Sequence, residues 1–402
     1  MLKRKQYVKL NLLDFLLILI ALYIIAPIVS RFISSYLTTY FYMLVVVLFI
    51  VVLFFSKRMK TVNDCIILLF PFLCWKLLNF FIAKGNILIW SYGALLDLIP
   101  LLAGYYMMTF CADDKNNFFM RLILTALAIT TLTTVIGCMR HPGASRYLAT
   151  VKDAGEAEAV LYGWLNLGGY EFVYSVVLLH PLAILAYKKG KINKWLAILC
   201  SIATIALAVY SEYTTALLMS LLSSFLYFFK KNLTVKQLLG LVVLALFMFT
   251  IFSSLFSKLL IWLAEIIDSD TMAMRLKALA TGKMGADEGD NNRFELYKRS
   301  FLTFIKNPIF GSFINGGYGV GGHSFILDML GQFGLCGLAI LIFMYRAIYI
   351  KFFKKYQNTE GYGYVLWVFI LTILLSLLNT GMWLSVLALF APIILRRIYA
   401  EG

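Results

Sequence analysis

The chain is 402 residues long, 62% hydrophobic and 14% charged, with a net charge of +16 and a mean hydropathy of +0.86. A water-soluble protein of this length needs far more polar surface, so the composition excludes that class. It predicts one all-α, polytopic membrane domain over residues 1–402.

In chain order, apolar stretches predict about twelve membrane helices, at 12–30, 37–55, 65–83, 94–111, 119–138, 172–187, 195–210, 214–229, 237–257, 323–345, 362–379 and 382–395. Lys3, Arg4 and Lys5 precede the first run as in a signal peptide, but no small-residue cleavage site follows and further spans do. The run is read as a retained first helix. Lys and Arg cluster at alternate helix ends, at 3–5, 56–60, 113–115, 188–194, 230–236, 351–355 and 396–397. The positive-inside rule then predicts both termini in the cytoplasm. The basic excess is therefore topological, and no nucleic-acid partner is implied. Cys65, Cys74, Cys111, Cys138, Cys200 and Cys336 show no metal-ligand spacing and read as small apolar residues, so neither a disulfide nor a metal site is expected.

Two connections on the predicted external side, 139–171 and 258–322, are much longer than the rest, and long connections of this kind tend to carry function. In the first, a Pro142-Gly143 turn leads to a surface helix expected within 144–162. In the second, Phe294, Tyr297, Phe301, Leu302 and Ile305 recur at helical spacing over 293–306, and Asn307-Pro308 is a stop signal. This pattern predicts an amphipathic helix on the membrane surface or across the bundle mouth. Within or beside the spans, Lys76, Asp97, Glu212 and Asp328 are the charges noted. Lys76 and Asp97 read as an ion pair or snorkelling groups, whereas Glu212 and Asp328 fit a structural or a functional role.

Residues 316–337, GGYGVGGHSFILDMLGQFGLCG, hold eight glycines and His323. GYGVGG at 317–322 satisfies GxGxxG, but no strand is expected before it, no GK[ST] occurs and it falls on the predicted external side, so as a nucleotide-loop signal it carries almost no weight. Glycines ahead of a helix can instead bring backbone N–H groups to an anion. His323 is expected as the first residue of that helix, on one stripe with Leu327, Leu330 and Gly334, while Gly331, Gly334 and Gly337 are expected to seat it against another helix. Arg140, Arg146, Arg275, Arg293 and Arg299 lie in the long connections, and guanidinium is the preferred fork for phosphate oxygens. A positioned imidazole with external arginines predicts a site that holds a lipid-linked phosphate or pyrophosphate and moves a proton.

HSFILDMLGQFGLCG also fits H-[NSQ]-x9-G-x2-[GTY], with His323, Ser324, Gly334 and Gly337 in the defined places. In this it resembles the superfamily of O-antigen ligases and Wzy-type polysaccharide polymerases. The upstream NRFELYKRSFLTFIKNPIFGS, PGASRYLA with NLGGYEFVY, and YSEYTTALL are similar to segments of the same superfamily. The resemblance spans about residues 140–345 and implies a GT-C-like, metal-independent glycosyltransferase without cofactor. Its expected partners are polyprenyl-pyrophosphate-linked oligosaccharides, the lipid bilayer and a chain-length regulator. Its expected place is the bacterial inner membrane, with the active site facing outward.

By that resemblance Arg146 and Arg293, and less directly Arg275, bind donor pyrophosphate, and His323 handles the acceptor hydroxyl, with Asp328 or Glu171 as the next candidate bases. Ser324, Tyr318 and Arg140 are expected to support the glycan. No phosphate role carries to the turn at Glu212 and Tyr213, where many relatives have arginine. The loop segments favour a polymerase. A ligase shares the His motif, and a flippase or other transporter shares only the helix count.

Overall fold

The computed structural model describes residues 9–37, 39–55, 62–82, 87–150, 156–229, 234, 236–238, 240, 253–266, 270–280, 293–315 and 319–400. Among these the chain is helical, with no strand. Three helices are long and apolar enough to cross a membrane: Asp113–Arg140, Tyr170–Lys188 and Phe325–Tyr356. Shorter apolar helices accompany them at Tyr40–Phe55, Leu68–Phe80, Ala94–Phe110, Lys194–Tyr210, Thr214–Phe228 and Tyr362–Leu378. The span expected at 237–257 lies largely outside the described residues. Tyr170–Lys188 is the central helix, with 72% of its apolar stretch buried, against 39% for Asp113–Arg140 and 33% for Phe325–Tyr356. The two less enclosed helices expose Ile129, Leu132, Leu335, Ile342 and Phe343, an outward apolar surface suited to hydrocarbon rather than water.

The first predicted span is not one helix. Leu12–Ile25 ends at Ala26, and Pro27–Leu37 leaves at 106° to it. Pro27 supplies the cause, because its ring drives the preceding residue out of the helical region, and Ala26 is extended at φ −111°, ψ 102°.

A buried polar lock fastens the opposite end of that first helix. Asp14 is fully buried, forms a capping box with Asn11, and accepts hydrogen bonds from Tyr106 Oη at 2.8 Å and from Lys115. Close by, Arg396 donates to the carbonyls of Met107 and Cys111 and pairs with Asp113. A lone carboxylate would be costly there, and the surrounding donors offset its desolvation.

The connection at 139–171 is firmly held. Its expected single helix is two, Ala144–Thr150 and Ala157–Trp164, with 151–155 outside the described residues. Tyr147 Oη donates to Glu156 across the join; this bond, with some desolvation, pushes the phenol up to about 12, so it stays a donor at neutral pH. Asn166, at φ 57°, accepts from Ile28 N and donates to Thr130 and Thr133. Ser145 Oγ donates to the Gly168 carbonyl at 2.7 Å, and Gly168 N donates to Thr134 Oγ1 at 2.8 Å. Local side-chain bonds of this kind give a non-repetitive backbone one conformation, and here they set the position of Arg146.

Candidate functional site

The glycine-rich approach and the helix after it are joined by one carboxylate. Ser324, not His323, is the N-cap: its Oγ accepts from Leu327 N at 3.1 Å, and the helix begins at Phe325. His323 therefore stands just ahead of the helix instead of forming its first residue. Asp328 accepts from Ser300 Oγ at 2.6 Å and from the backbone N–H groups of Gly322 and Ser324, both at 3.2 Å. Ser300 Oγ in turn accepts from Gly321 N at 2.8 Å. Three N–H groups that could have faced an anion, those of Gly321, Gly322 and Ser324, are thus already engaged within the turn. Asp328, with three donors on its oxygens, acts as a clasp between the approach, the Phe325–Ile348 helix and the Arg293–Lys306 helix. Asp328→Ala should loosen 319–324 and cost stability on the order of 2–3 kcal/mol, seen as a lowered thermal midpoint. Hydrogen exchange at the Gly321 and Gly322 amides reads this directly, and unchanged protection there would remove the clasp.

Gly334 does something periodicity does not foresee. The predicted stripe from His323 to Gly334 assumes an unbroken helix, but Gly334 sits at φ 61°, ψ −149° and kinks it. In the break, Leu335 N and Cys336 N donate outward to the carbonyls of Pro308 and Ile309, at 2.8 and 3.2 Å. A Cβ on Gly334 would lie 2.5 Å from Ile309 C and 2.6 Å from Pro308 O. Gly311, at φ 69°, is as tightly placed against Gln332 and Phe333. The Asn-Pro-x-x-Gly turn thus docks in the break. Gly331 meets the Ser300 carbonyl as an inter-helix seat should, but Gly337 faces Phe333 and Met329 of its own helix. At 1.5 Å per residue, the stretch from 335 to 356 covers roughly 30 Å, enough to cross a bilayer alone. The His323 end is thereby free to sit beyond the hydrocarbon.

Around that end the contacts close a circuit. The Phe325 ring meets Trp75 at 5.7 Å, and Lys76 Nζ lies 4.0 Å from the Trp75 ring centre. Lys76 pairs with Asp97 at 2.5 Å, realising the ion pair read from the sequence. Asp97 lies within electrostatic reach of Glu171. Glu171 itself is exposed. Its neighbour Tyr170 meets Trp383 at 5.6 Å. Trp383 belongs to the reversal that begins at Asn379, whose carbonyl accepts from Phe325 N at 2.9 Å. Trp383 holds φ 56°, a conformation costing a bulky residue on the order of 1–3 kcal/mol.

Three buried donors on this circuit, Trp75 Nε1, Asn379 Nδ2 and Trp383 Nε1, have no hydrogen-bond partner among the described residues. Such groups are rare unless something else satisfies them. The circuit thus offers unmet N–H donors, two carboxylates and an ammonium. The His323 ring, two residues before Phe325, makes no hydrogen bond or ion pair with a described residue. Sequence reasoning missed Trp75, Asn379 and Trp383 altogether.

The arginines stand further out. Arg146 lies within electrostatic reach of Tyr213, whose Oη donates to the Ser145 carbonyl at 2.9 Å. Tyr213 packs on Tyr170 and Tyr174, and both of these meet Trp383, so Arg146 is one layer of rings from the circuit. Arg140 ends the Asp113–Arg140 helix, exposed. Arg299 Nε donates to the Gly319 carbonyl. Arg275 and Arg293 fall on helices whose course is described, but their side chains, and all of Tyr318, lie outside the described residues. No group of three or more His, Cys, Asp or Glu suited to a metal occurs among the described residues. No family model, curated protein or solved structure matches the chain.

Proposed function

We propose that the chain is a membrane glycosyltransferase of the Wzy type, a polysaccharide polymerase. In this reading it transfers a polyprenyl-pyrophosphate-linked glycan to a sugar hydroxyl of another lipid-linked repeat unit, at the external face of a bacterial inner membrane. The observation that carries the reading is the H-S-x9-G-x2-G signature. Its first three positions have separate physical tasks: His323 presents a ring that makes no hydrogen bond or ion pair with a described residue, Ser324 caps the helix, and Gly334 admits the turn that fixes the helix. The circuit beside it supports the reading with hydrogen-bond donors and carboxylates suited to sugar hydroxyls.

In the proposed reaction the acceptor oxygen attacks the anomeric carbon, the bond to pyrophosphate breaks, and the acceptor proton passes to His323 Nε2 or Nδ1. Arg146 and Arg293 stabilise the negative charge that grows on the departing pyrophosphate. Glu171 is the alternative proton acceptor, while Asp328 holds the turn. About twelve spans, a GT-C-like fold and cytoplasmic termini belong to the same proposal.

Arg146→Lys keeps the charge and loses the bidentate fork. Turnover on purified lipid-linked repeat unit should fall by about 10-fold or more, a barrier increase of roughly 1.4 kcal/mol. A rate equal to the parent's takes Arg146 out of the pyrophosphate site.

A further inference from the structure

The Arg293–Lys306 helix buries its small hydroxyl side, Ser300 and Thr303, and leaves an apolar side bare. Phe301, Leu302 and Ile305 are exposed, as are Ile309 and Phe310 in the following turn. At 100° per residue, Lys298 and Lys306 flank Leu302, with Arg299 beside Lys306. These residues, with Thr303 and Gly319, wall a cleft of about 370 Å³ in which Glu295 is the one acidic side chain among the described residues. Glu295 is also the partner of Lys298, at 3.6 Å, which leaves Arg299 and Lys306 as the further cations among the described lining residues.

We propose that this cleft binds the phosphate of an anionic glycerophospholipid, whose acyl chains lie along Leu302, Ile305 and Phe301. Three cations against one acid favour a phosphate oxygen set. The adjoining large apolar side chains favour hydrocarbon, and basic residues beside an apolar face are the pattern of a membrane-surface helix. A soluble anion satisfies the first feature and leaves the second in water; one lipid satisfies both. No bond is made or broken, and the site does not depend on the glycosyl-transfer reading. Its structural consequence is that a bound lipid braces the helix that carries Ser300, and through Asp328 the turn that carries His323.

Fluorescent phosphatidylglycerol and phosphatidylcholine, titrated separately into the purified full-length protein in neutral detergent, test this. The unmodified protein should prefer phosphatidylglycerol by about 10-fold or more at low salt, since each cation near a lipid phosphate contributes about 1 kcal/mol. That preference should collapse as ionic strength rises. Lys298→Gln with Lys306→Gln should abolish it with only a small fall in the thermal midpoint, because both side chains are exposed and point away from the buried Ser300 side. Leu302→Gln with Ile305→Gln should weaken both lipids alike. Equal binding of the two lipids by the unmodified protein overturns the proposal, as does a preference that survives the double lysine change. Displacement by inorganic phosphate at the lipid's own affinity assigns the cleft to a free anion, and failure of either lipid to bind assigns the face to a protein partner.

Discussion

Replacing His323 with alanine should abolish chain growth while the protein stays folded in its membrane. The ring makes no hydrogen bond or ion pair with a described residue, and the turn is held by Ser324, Asp328, Ser300 and the Asn379 carbonyl. Its removal therefore leaves the clasp and the circuit intact. If the ring takes the acceptor proton, the rate should fall by about 10²–10⁴-fold. Because Ser324 lies next to it, Ser324→Ala provides the comparison: a lost N-cap costs stability, on the order of 1 kcal/mol, with a smaller effect on rate. The assay pairs single-turnover extension of a lipid-linked repeat unit with a thermal melt. Loss of rate from His323→Ala with an unshifted melt supports the acceptor role. A melt that falls together with the rate assigns His323 to structure.

Gly334→Val should give the largest loss of stability among single changes near the site. Its backbone, at φ 61° and ψ −149°, belongs to a region open essentially to glycine. A side chain there also meets Ile309 and Pro308 backbone atoms 2.5 to 2.6 Å away, which belong to a docked turn and cannot rotate aside. Conformational strain alone costs about 1–3 kcal/mol, and expelling the turn also removes the two hydrogen bonds from Leu335 and Cys336, each worth about 1 kcal/mol. Thermal unfolding in detergent measures the sum, and hydrogen exchange at Leu335 and Cys336 shows whether the turn has left. A variant as stable as the parent, with both amides still protected, rules out the docked break.

Much of the site's local chemistry was legible in the sequence, and its tertiary shape was not. The Arg293–Lys306 helix ends where Asn307-Pro308 announces it, because proline acts on the backbone next to it. The Lys76–Asp97 pair was readable because two opposite charges in apolar helices have few other ways to be tolerated. The break at Gly334 was not readable: a helical wheel assumes unbroken geometry, and the cause is a turn some 25 residues earlier docking into it. Asp14 escaped notice because it sits in the first turn of an apolar run, where a cap and a tertiary ion pair look alike in sequence. The circuit joins Trp75, Asp97, Glu171, Phe325 and Trp383 across most of the chain's length. No local pattern encodes contacts of that range; they follow from how the helices pack around Tyr170–Lys188.

The most direct test of the central claim is the reaction itself, with purified protein in liposomes given one defined polyprenyl-pyrophosphate-linked repeat unit and its products resolved by size. A ladder of lengthening lipid-linked glycans, one repeat per rung, with polyprenyl pyrophosphate released in step, is the predicted result. A single transfer to a different acceptor marks a ligase, and movement of the intact lipid-linked glycan across the bilayer without pyrophosphate release marks a transporter. Either of these results contradicts the polymerase account.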